Sequence, residues 1–92
     1  MPYQVVEKTF TRPLTDEKID HLFSDLSPCL DHYQARWVHS YLSNDRLRLI
    51  CIFEAADAES VRMAHRTAGI RFERVWPSQL ITQPTKGEPS GV

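Results

Sequence analysis

A predicted β-hairpin between residues 36 and 54 constrains this chain more than any other feature. Residues 36–42 and residues 47–54 are both rich in β-branched, aromatic and aliphatic side chains, which is typical of β-strands. The turn between them contains Asn44 and Asp45, two residues that tolerate the positive φ angles of short hairpin loops. The segment therefore predicts two antiparallel strands joined by a two-residue loop.

Strand alternation predicts that the hairpin has two different faces. With the two-residue loop, Val38 pairs with Cys51 and His39 pairs with Ile50. The predicted core face carries Val38, Leu42, Leu47, Leu49, Cys51 and Phe53. The second face carries Trp37, His39, Tyr41, Arg48, Ile50, Ile52 and Glu54. Because this second face is too apolar for water and too polar for an ordinary core, it is the predicted functional surface.

Composition excludes several classes of protein. The chain has 92 residues, enough for one small domain. Eleven Lys and Arg residues against 12 Asp and Glu residues give a net charge of -1, which argues against nucleic acid or an anionic membrane as the main partner. No apolar run approaches the roughly 18 residues of a membrane span, and the start of the chain lacks signal-peptide features. The two widely separated cysteines favour a reduced, cytoplasmic protein over a disulfide scaffold.

Helix signals flank the hairpin on both sides. Thr15 is the predicted N-cap of a first helix, and Pro28 predicts that this helix ends there or continues for only one further turn. Its apolar stripe is Ile19, Leu22, Phe23 and Leu26. Asp57 and Gly69 predict the N-cap and the left-handed C-terminal residue of a second helix. The predicted inward stripe of that helix is Val61, Ala64, His65 and Ala68.

Two further strand-like segments complete the predicted fold. Residues 3–10 read as a central strand, and residues 72–76, followed by a proline, read as an edge strand. The resulting β-α-β-β-α-β order predicts an α+β, ferredoxin-like sandwich with a four-stranded antiparallel sheet and both helices on one face. The domain is predicted to span residues 1–77, with residues 78–92 as a largely disordered extension. A second copy covering the uncovered face would form a homodimer of the dimeric α/β-barrel type.

The hairpin and second helix also resemble a known family. The residues that carry the resemblance are Trp37-Val38-His39-Ser40-Tyr41, Asp45, Cys51-Ile52-Phe53-Glu54-Ala55, Asp57, Glu59, Val61-Arg62, His65 and Ala68-Gly69. Over residues 3–76 the chain resembles a bacterial family of short ferredoxin-like proteins of unknown function that are described as nickel-responsive or nickel-binding. The resemblance implies a homodimer that holds nickel, another divalent transition metal or a small ligand between its two sheets. Nickel-binding members carry histidines in the first strand, whereas residues 5–10 here contain none.

Candidate site residues lie mainly on the second face of the hairpin. The candidate metal ligands are His39, Glu54 and Glu7, and the last requires that Glu7 rather than Lys8 faces the cavity. The candidate ligand pocket consists of Trp37, Tyr41, Ile50, Ile52 and Trp76. A mixture of aromatic walls and few polar groups is typical of small-molecule sites and also of homodimer interfaces. His39 is accordingly either a ligand or a histidine of the dimer interface.

Three functions stay open on the sequence alone. The first is a homodimeric binding protein for a metal or small ligand. The second is a cofactor-independent enzyme acting on a small aromatic or polyketide-like metabolite, with His39 as general base and Arg48 as oxyanion partner. The third is a purely structural dimerisation module. Cys51 and His65 are predicted to be structural, as a buried thiol with a raised pKa and a helical histidine bonded to a backbone carbonyl.

Overall fold

The computed structural model describes residues 2–83 and has the predicted element order. The elements are β1 (Tyr3–Thr9), α1 (Asp16–His32), β2 (Arg36–Leu42), β3 (Arg48–Glu54), α2 (Ala58–Ala68) and β4 (Arg74–Ser78). The four strands form one antiparallel sheet in the order β2-β3-β1-β4. Both helices pack on one side of this sheet, so the predicted ferredoxin-like α+β fold is confirmed. Within residues 2–83, neither helix is long and apolar enough to cross a membrane.

The core lies between the sheet and the two helices. Its fully buried apolar side chains include Val6, Leu26, Cys51, Phe53 and Val61. These residues come from both central strands and from both helices, so the same apolar contacts hold all the layers together. Because both helices contribute to this core, no helix within residues 2–83 covers the other side of the sheet.

Helix α2 begins and ends where the sequence predicted. The Asp57 carboxylate accepts hydrogen bonds from the backbone N–H and the hydroxyl of Ser60, both at 2.8 Å. Gly69 follows the helix with a φ of 72°, and its N–H donates to the Arg66 carbonyl. Both contacts satisfy backbone or capping groups that would otherwise lack a partner at a helix end.

Helix α1 has the longer of its two predicted lengths. The Thr15 hydroxyl caps its start by accepting from the Lys18 N–H at 3.1 Å, as expected. Of the two predicted ends the structure has the later one, because the helix continues for about one turn past Pro28 to His32. A proline removes one helical hydrogen bond, but this position is exposed, whereas Leu26 and Leu30 are buried in the core. Burial of the apolar side therefore outweighs the lost bond.

The predicted register of the hairpin is wrong by two residues. His39 pairs with Ile52 and not with Ile50. The connecting loop is longer than two residues, and the Ser43 N–H donates to the Arg48 carbonyl at 2.9 Å. Within the loop, the positive φ of 63° belongs to Arg46 and not to the predicted Asn-Asp pair. The loop conformation therefore set a register that alternation alone could not predict.

A β-bulge at Val38 changes the faces of β2. Trp37 lies opposite Phe53 and His39 lies opposite Ile52, so Val38 is an extra residue between two pairs. Trp37 consequently joins the helix side, where its ring stacks on Phe23 with centroids 4.3 Å apart. The predictions that Trp37 lies on the functional face and Val38 on the core face are therefore wrong.

Strand β4 is the second edge of the sheet, as predicted, but its limits differ. It spans Arg74–Ser78, and Pro77 lies inside it opposite Gln4, a position that an edge strand tolerates. Because Ser78 belongs to the strand, the sheet extends one residue past the predicted domain end at residue 77. Of the predicted disordered extension, residues 84–92 lie outside the described residues.

Candidate ligand-binding face

The sheet side opposite the helices, here called the open face, is organised in three rows of side chains. The rows are Tyr41-Ile50-Glu7-Arg74, His39-Ile52-Val5-Trp76 and Arg36-Glu54-Tyr3-Ser78. Two large aromatic side chains on this face remain well exposed, Tyr41 at 66% and Trp76 at 42%. Monomeric proteins rarely leave such residues grouped on one surface without a purpose.

A cavity of about 470 Å³ lies over the middle row and is here called the open-face cavity. Its floor is formed by Val5, Val38 and Ile52, and its aromatic walls by Tyr3, Tyr41 and Trp76. Leu80 and Ile81, from the segment that follows β4, lie at its rim. The volume falls within the range of about 300–1,000 Å³ that is usual for small-molecule sites.

His39 supplies the imidazole of the open-face cavity. It lies on the edge strand β2, is exposed, and meets the Tyr41 ring edge-on with centroids 5.1 Å apart. The bulge at Val38 is what brings His39 to this side. In an uninterrupted strand that keeps Trp37 opposite Phe53, alternation would turn His39 toward the helices.

The two candidate carboxylates are both engaged elsewhere on the open face. Glu7 does face this side, since it pairs with Ile50, and its carboxylate accepts from the Trp76 indole N–H at 2.8 Å. Arg74 approaches the same carboxylate at 3.6 Å. Glu54 forms an ion pair with Arg36.

The predicted metal ligands His39, Glu54 and Glu7 therefore do not form a donor set within one chain. Among residues 2–83, no three His, Cys, Asp or Glu side chains lie close enough together to hold a metal ion. A divalent transition metal in a protein usually takes three or four such donors. Residues 2–83 of a single chain therefore do not fit a resident nickel ion.

The sequence-predicted pocket is brought together only in part. Tyr41, Ile52 and Trp76 line the open-face cavity, whereas Trp37 lies on the helix side. Ile50 lies on the open face but lines a separate, smaller cavity of about 150 Å³.

The predicted catalytic pair of His39 and Arg48 is not assembled within one chain. Arg48 lies four residues along β3 from Ile52, the partner of His39, which corresponds to roughly 13 Å of strand. Arg48 also lines the smaller cavity and not the open-face cavity.

A buried polar cluster lies on the helix side and was only partly predicted. His65 is completely buried, and its Nδ1 lies 2.8 Å from the Val61 carbonyl, as its structural prediction required. Since a carbonyl only accepts, Nδ1 carries the proton and Nε2 accepts from the Lys8 ammonium at 2.9 Å. Lys8 is itself only 2% exposed and also lies 4.0 Å from the Cys51 sulfur.

Burial controls the ionisation of this cluster. It lowers the pKa of Lys8 from its ordinary 10.5, against the opposing effects of Cys51 and Glu73. Burial and then the charge of Lys8 lower the pKa of His65 to about 4. Burial also raises the pKa of Cys51, in agreement with the predicted core position of this thiol.

Sequence reasoning missed seven residues that line the open-face cavity, namely Tyr3, Val5, Val38, Ser78, Gln79, Leu80 and Ile81. Tyr3 and Val5 could have been found by alternation in β1 from Glu7, once the face of Glu7 was decided. Leu80 and Ile81 are the last adjacent aliphatic pair of the chain. Their position directly after an edge strand was the available signal that they lie beside the open face.

These features define a small α+β domain of ferredoxin-like topology with a cavity on its uncovered sheet face. The chain belongs to the nickel responsive protein SCO4226-like family, whose model matches residues 5–77. Among solved structures, the crystal structure of SCO4226 from Streptomyces coelicolor A3(2) is similar, with a TM-score of 0.78 at 12% sequence identity. The match covers 87% of this chain and 99% of that protein and shows a shared fold. Comparison with curated proteins finds no match.

Proposed function

We propose that this protein is a homodimeric binding protein that holds a small, largely apolar molecule in the open-face cavity. The observation that carries the proposal is the cavity itself, about 470 Å³ in volume and walled by aliphatic and aromatic side chains around few polar groups. Sites for small molecules are built in this way. The two unpaired cysteines support a reducing, cytoplasmic location.

A second copy is the proposed cover of the open face. Tyr41, Leu80 and Ile81 are 66%, 66% and 87% exposed, and a chain of 92 residues gains much of its stability from any further apolar burial. Both ends of the face carry an arginine–glutamate pair, Arg36 with Glu54 and Arg74 with Glu7. A two-fold axis would place these mixed-charge ends against one another without a like-charge block.

The dimer is tested by native mass spectrometry of wild type and two matched variants. Tyr41→Asp places a charge in the proposed interface, at an aromatic residue that is 66% exposed in one chain, and is expected to give monomers. Met63→Asp places the same charge on the outer surface of α2, where Met63 is 36% exposed, and is expected to leave the dimer intact. A monomeric wild-type protein at micromolar concentration would contradict the proposal.

Ligand binding is tested with an uncharged aromatic dye, N-phenyl-1-naphthylamine, whose fluorescence rises in apolar sites. Ile52→Trp fills the floor of the cavity and is expected to abolish the fluorescence increase. The control Met63→Trp adds the same side chain outside the cavity and is expected to preserve it. Equal dye binding by both variants would show that the dye binds elsewhere.

Nickel binding is a second candidate function, and the family description favours it. That description names a response to nickel, and one chain lacks a donor set in residues 2–83. A dimer would therefore have to combine His39 of both copies with further donors. Nickel content of chelator-free protein after dialysis against Ni²⁺, compared between wild type and His39→Ala, decides this candidate. One ion per dimer in the wild type alone supports it, and none in either protein removes it.

A further inference from the structure

The polar groups around the open-face cavity indicate which charge its occupant carries. The cavity presents the His39 imidazole, the Tyr3 and Tyr41 side chains and the Gln79 amide. The Ser78 hydroxyl is already used, because it donates to the Tyr3 carbonyl at 3.1 Å. Among residues 2–83, no Asp, Glu, Lys or Arg side chain lines this cavity.

Groups that can donate hydrogen bonds therefore line the cavity in residues 2–83, and no carboxylate lines it beside them. The two carboxylates of the open face that lie nearest in the sheet rows are turned to other partners, Glu54 to Arg36 and Glu7 to Trp76 and Arg74. An ammonium group in the cavity would lose its water and gain no carboxylate. An acidic oxygen group would instead accept a hydrogen bond from the imidazole N–H of His39, and the negative charge of the acceptor would strengthen that bond.

The position of His39 indicates how such a molecule would lie. His39 is exposed on the edge strand β2, so it stands at the solvent side of the cavity, whereas Val5 and Ile52 form the apolar floor. The apolar part of an occupant would rest on this floor, with its charged group at the edge strand. A cavity of roughly 150 Å³ holds benzene, so about 470 Å³ has room for two fused rings with a substituent.

The bulge at Val38 is an independent indication that His39 has a role in this cavity. A bulge costs regular strand pairing, and bulges commonly redirect a side chain beside a functional site. Here the bulge delivers His39 to the open face while Trp37 keeps its stacking contact with Phe23 on the other side. The same residue insertion therefore serves the core and the cavity.

We propose that the occupant of the open-face cavity is an aromatic acid, a fused-ring body with one carboxylate or similar acidic oxygen group held by His39. This inference rests on the proposed small-ligand function and specifies its ligand class. His39 acts as a binding and specificity-determining residue, and the aliphatic floor selects the ring system.

The test uses three probes of the same size and different charge: 2-naphthoate, 2-naphthamide and a naphthyl trimethylammonium ion. Isothermal titration calorimetry measures their affinity for wild type, for His39→Gln and for the control His21→Gln, which changes an exposed histidine on α1. Wild type and His21→Gln are expected to bind the acid about tenfold more tightly than the amide, as a charge-assisted hydrogen bond provides. In His39→Gln, the affinity for the acid should fall to that for the amide, while the affinity for the amide should stay unchanged.

Each other outcome has a definite meaning. Equal binding of acid and amide by the wild type overturns the aromatic-acid inference and leaves the small-ligand function standing. If the trimethylammonium probe binds most tightly, the aromatic-acid inference is also overturned, and the aromatic walls instead bind a cation. Binding of none of the three probes overturns the small-ligand function together with the inference. An unchanged preference for the acid in His39→Gln removes His39 from the site.

Discussion

Acid destabilisation through His65 is the prediction that the structure supports in most detail. His65 is fully buried, lies between the rings of Phe53 and Phe72, and accepts a hydrogen bond from Lys8. Burial and the Lys8 charge lower its pKa from 6.5 to about 4, against the opposing hydrogen bond to Val61. As the pH falls below 6.5, the unfolded chain therefore takes up a proton before the folded chain does.

The sign and the size of the effect follow from this difference in pKa. The stabilisation is complete above about pH 6.5 and is lost as the pH falls to about 4, when both states are protonated. Each pKa unit corresponds to 1.36 kcal/mol, so His65 accounts for about 3 kcal/mol of unfolding free energy across this window. Hydrogen bonds lower the pKa of Asp45 and of Asp57 from 3.8. The stability that these two carboxylates contribute is therefore lost mainly at pH values below the range in which His65 acts.

Urea unfolding at a series of pH values between about 7 and 4.5 measures this loss. The wild type and the control His21→Gln should lose stability steeply, whereas His65→Leu should show a much flatter dependence. Lys8→Met removes the neighbouring charge, so the pKa of His65 should rise and the dependence should weaken. If His65→Leu kept the wild-type slope, the assignment of acid sensitivity to His65 would be refuted.

The same pair predicts a non-additive stability at neutral pH. Each single variant leaves one buried partner without its hydrogen bond, a cost of about 1–3 kcal/mol. The double variant Lys8→Met/His65→Leu replaces both partners by apolar side chains of similar size, which is often neutral or stabilising. Its unfolding free energy should exceed the value expected from adding the two single losses. Additive losses would show that the two side chains do not stabilise the fold as a pair.

Three further predictions concern the helix ends and the thiols. Gly69→Ala should cost about 1 kcal/mol in thermal unfolding, because the φ of 72° disfavours a side chain. Asp57→Ala should cost about 1 kcal/mol at neutral pH, because the Ser60 N–H loses its acceptor, and much less at a pH low enough to protonate the carboxylate in wild type. In Cys29→Ser, the remaining Cys51 thiol, which is completely buried, should react with a disulfide reagent only as fast as the domain opens.

The parts of the fold that were predictable from sequence depend on local interactions. Helix α2 was predicted to the residue because Asp57 and Gly69 cap it through bonds to residues within a few positions. The end of α1 was not predictable in this way. There the local preference of Pro28 is overcome by contacts of Leu30 with a core that forms from distant segments.

The candidate site depended on register, which local patterns do not determine. Alternation predicted the correct face for His39, Tyr41, Ile52 and Glu54, although the assumed pairing was two residues out. It failed for Trp37, because a bulge shifts the alternation of every residue before it. The burial of Lys8 was also not predicted, because a charged residue in a strand is normally assigned to the solvent-exposed face.

The burial of Lys8 and that of His65 can be understood together once the register of β1 is known, because each side chain is the hydrogen-bond partner of the other. With Glu7 on the open face, alternation forces Lys8 toward the helices, and α2 places His65 over the same part of the sheet. A lysine there needs an acceptor, and the neutral imidazole of His65 provides one because its other nitrogen is bonded to the Val61 carbonyl. The register of β1 therefore determines both that Glu7 faces the cavity side and that Lys8 is buried. A one-residue slip of β1 that moved Lys8 to the open face would therefore also remove Glu7 from the Trp76 indole and alter a wall of the open-face cavity.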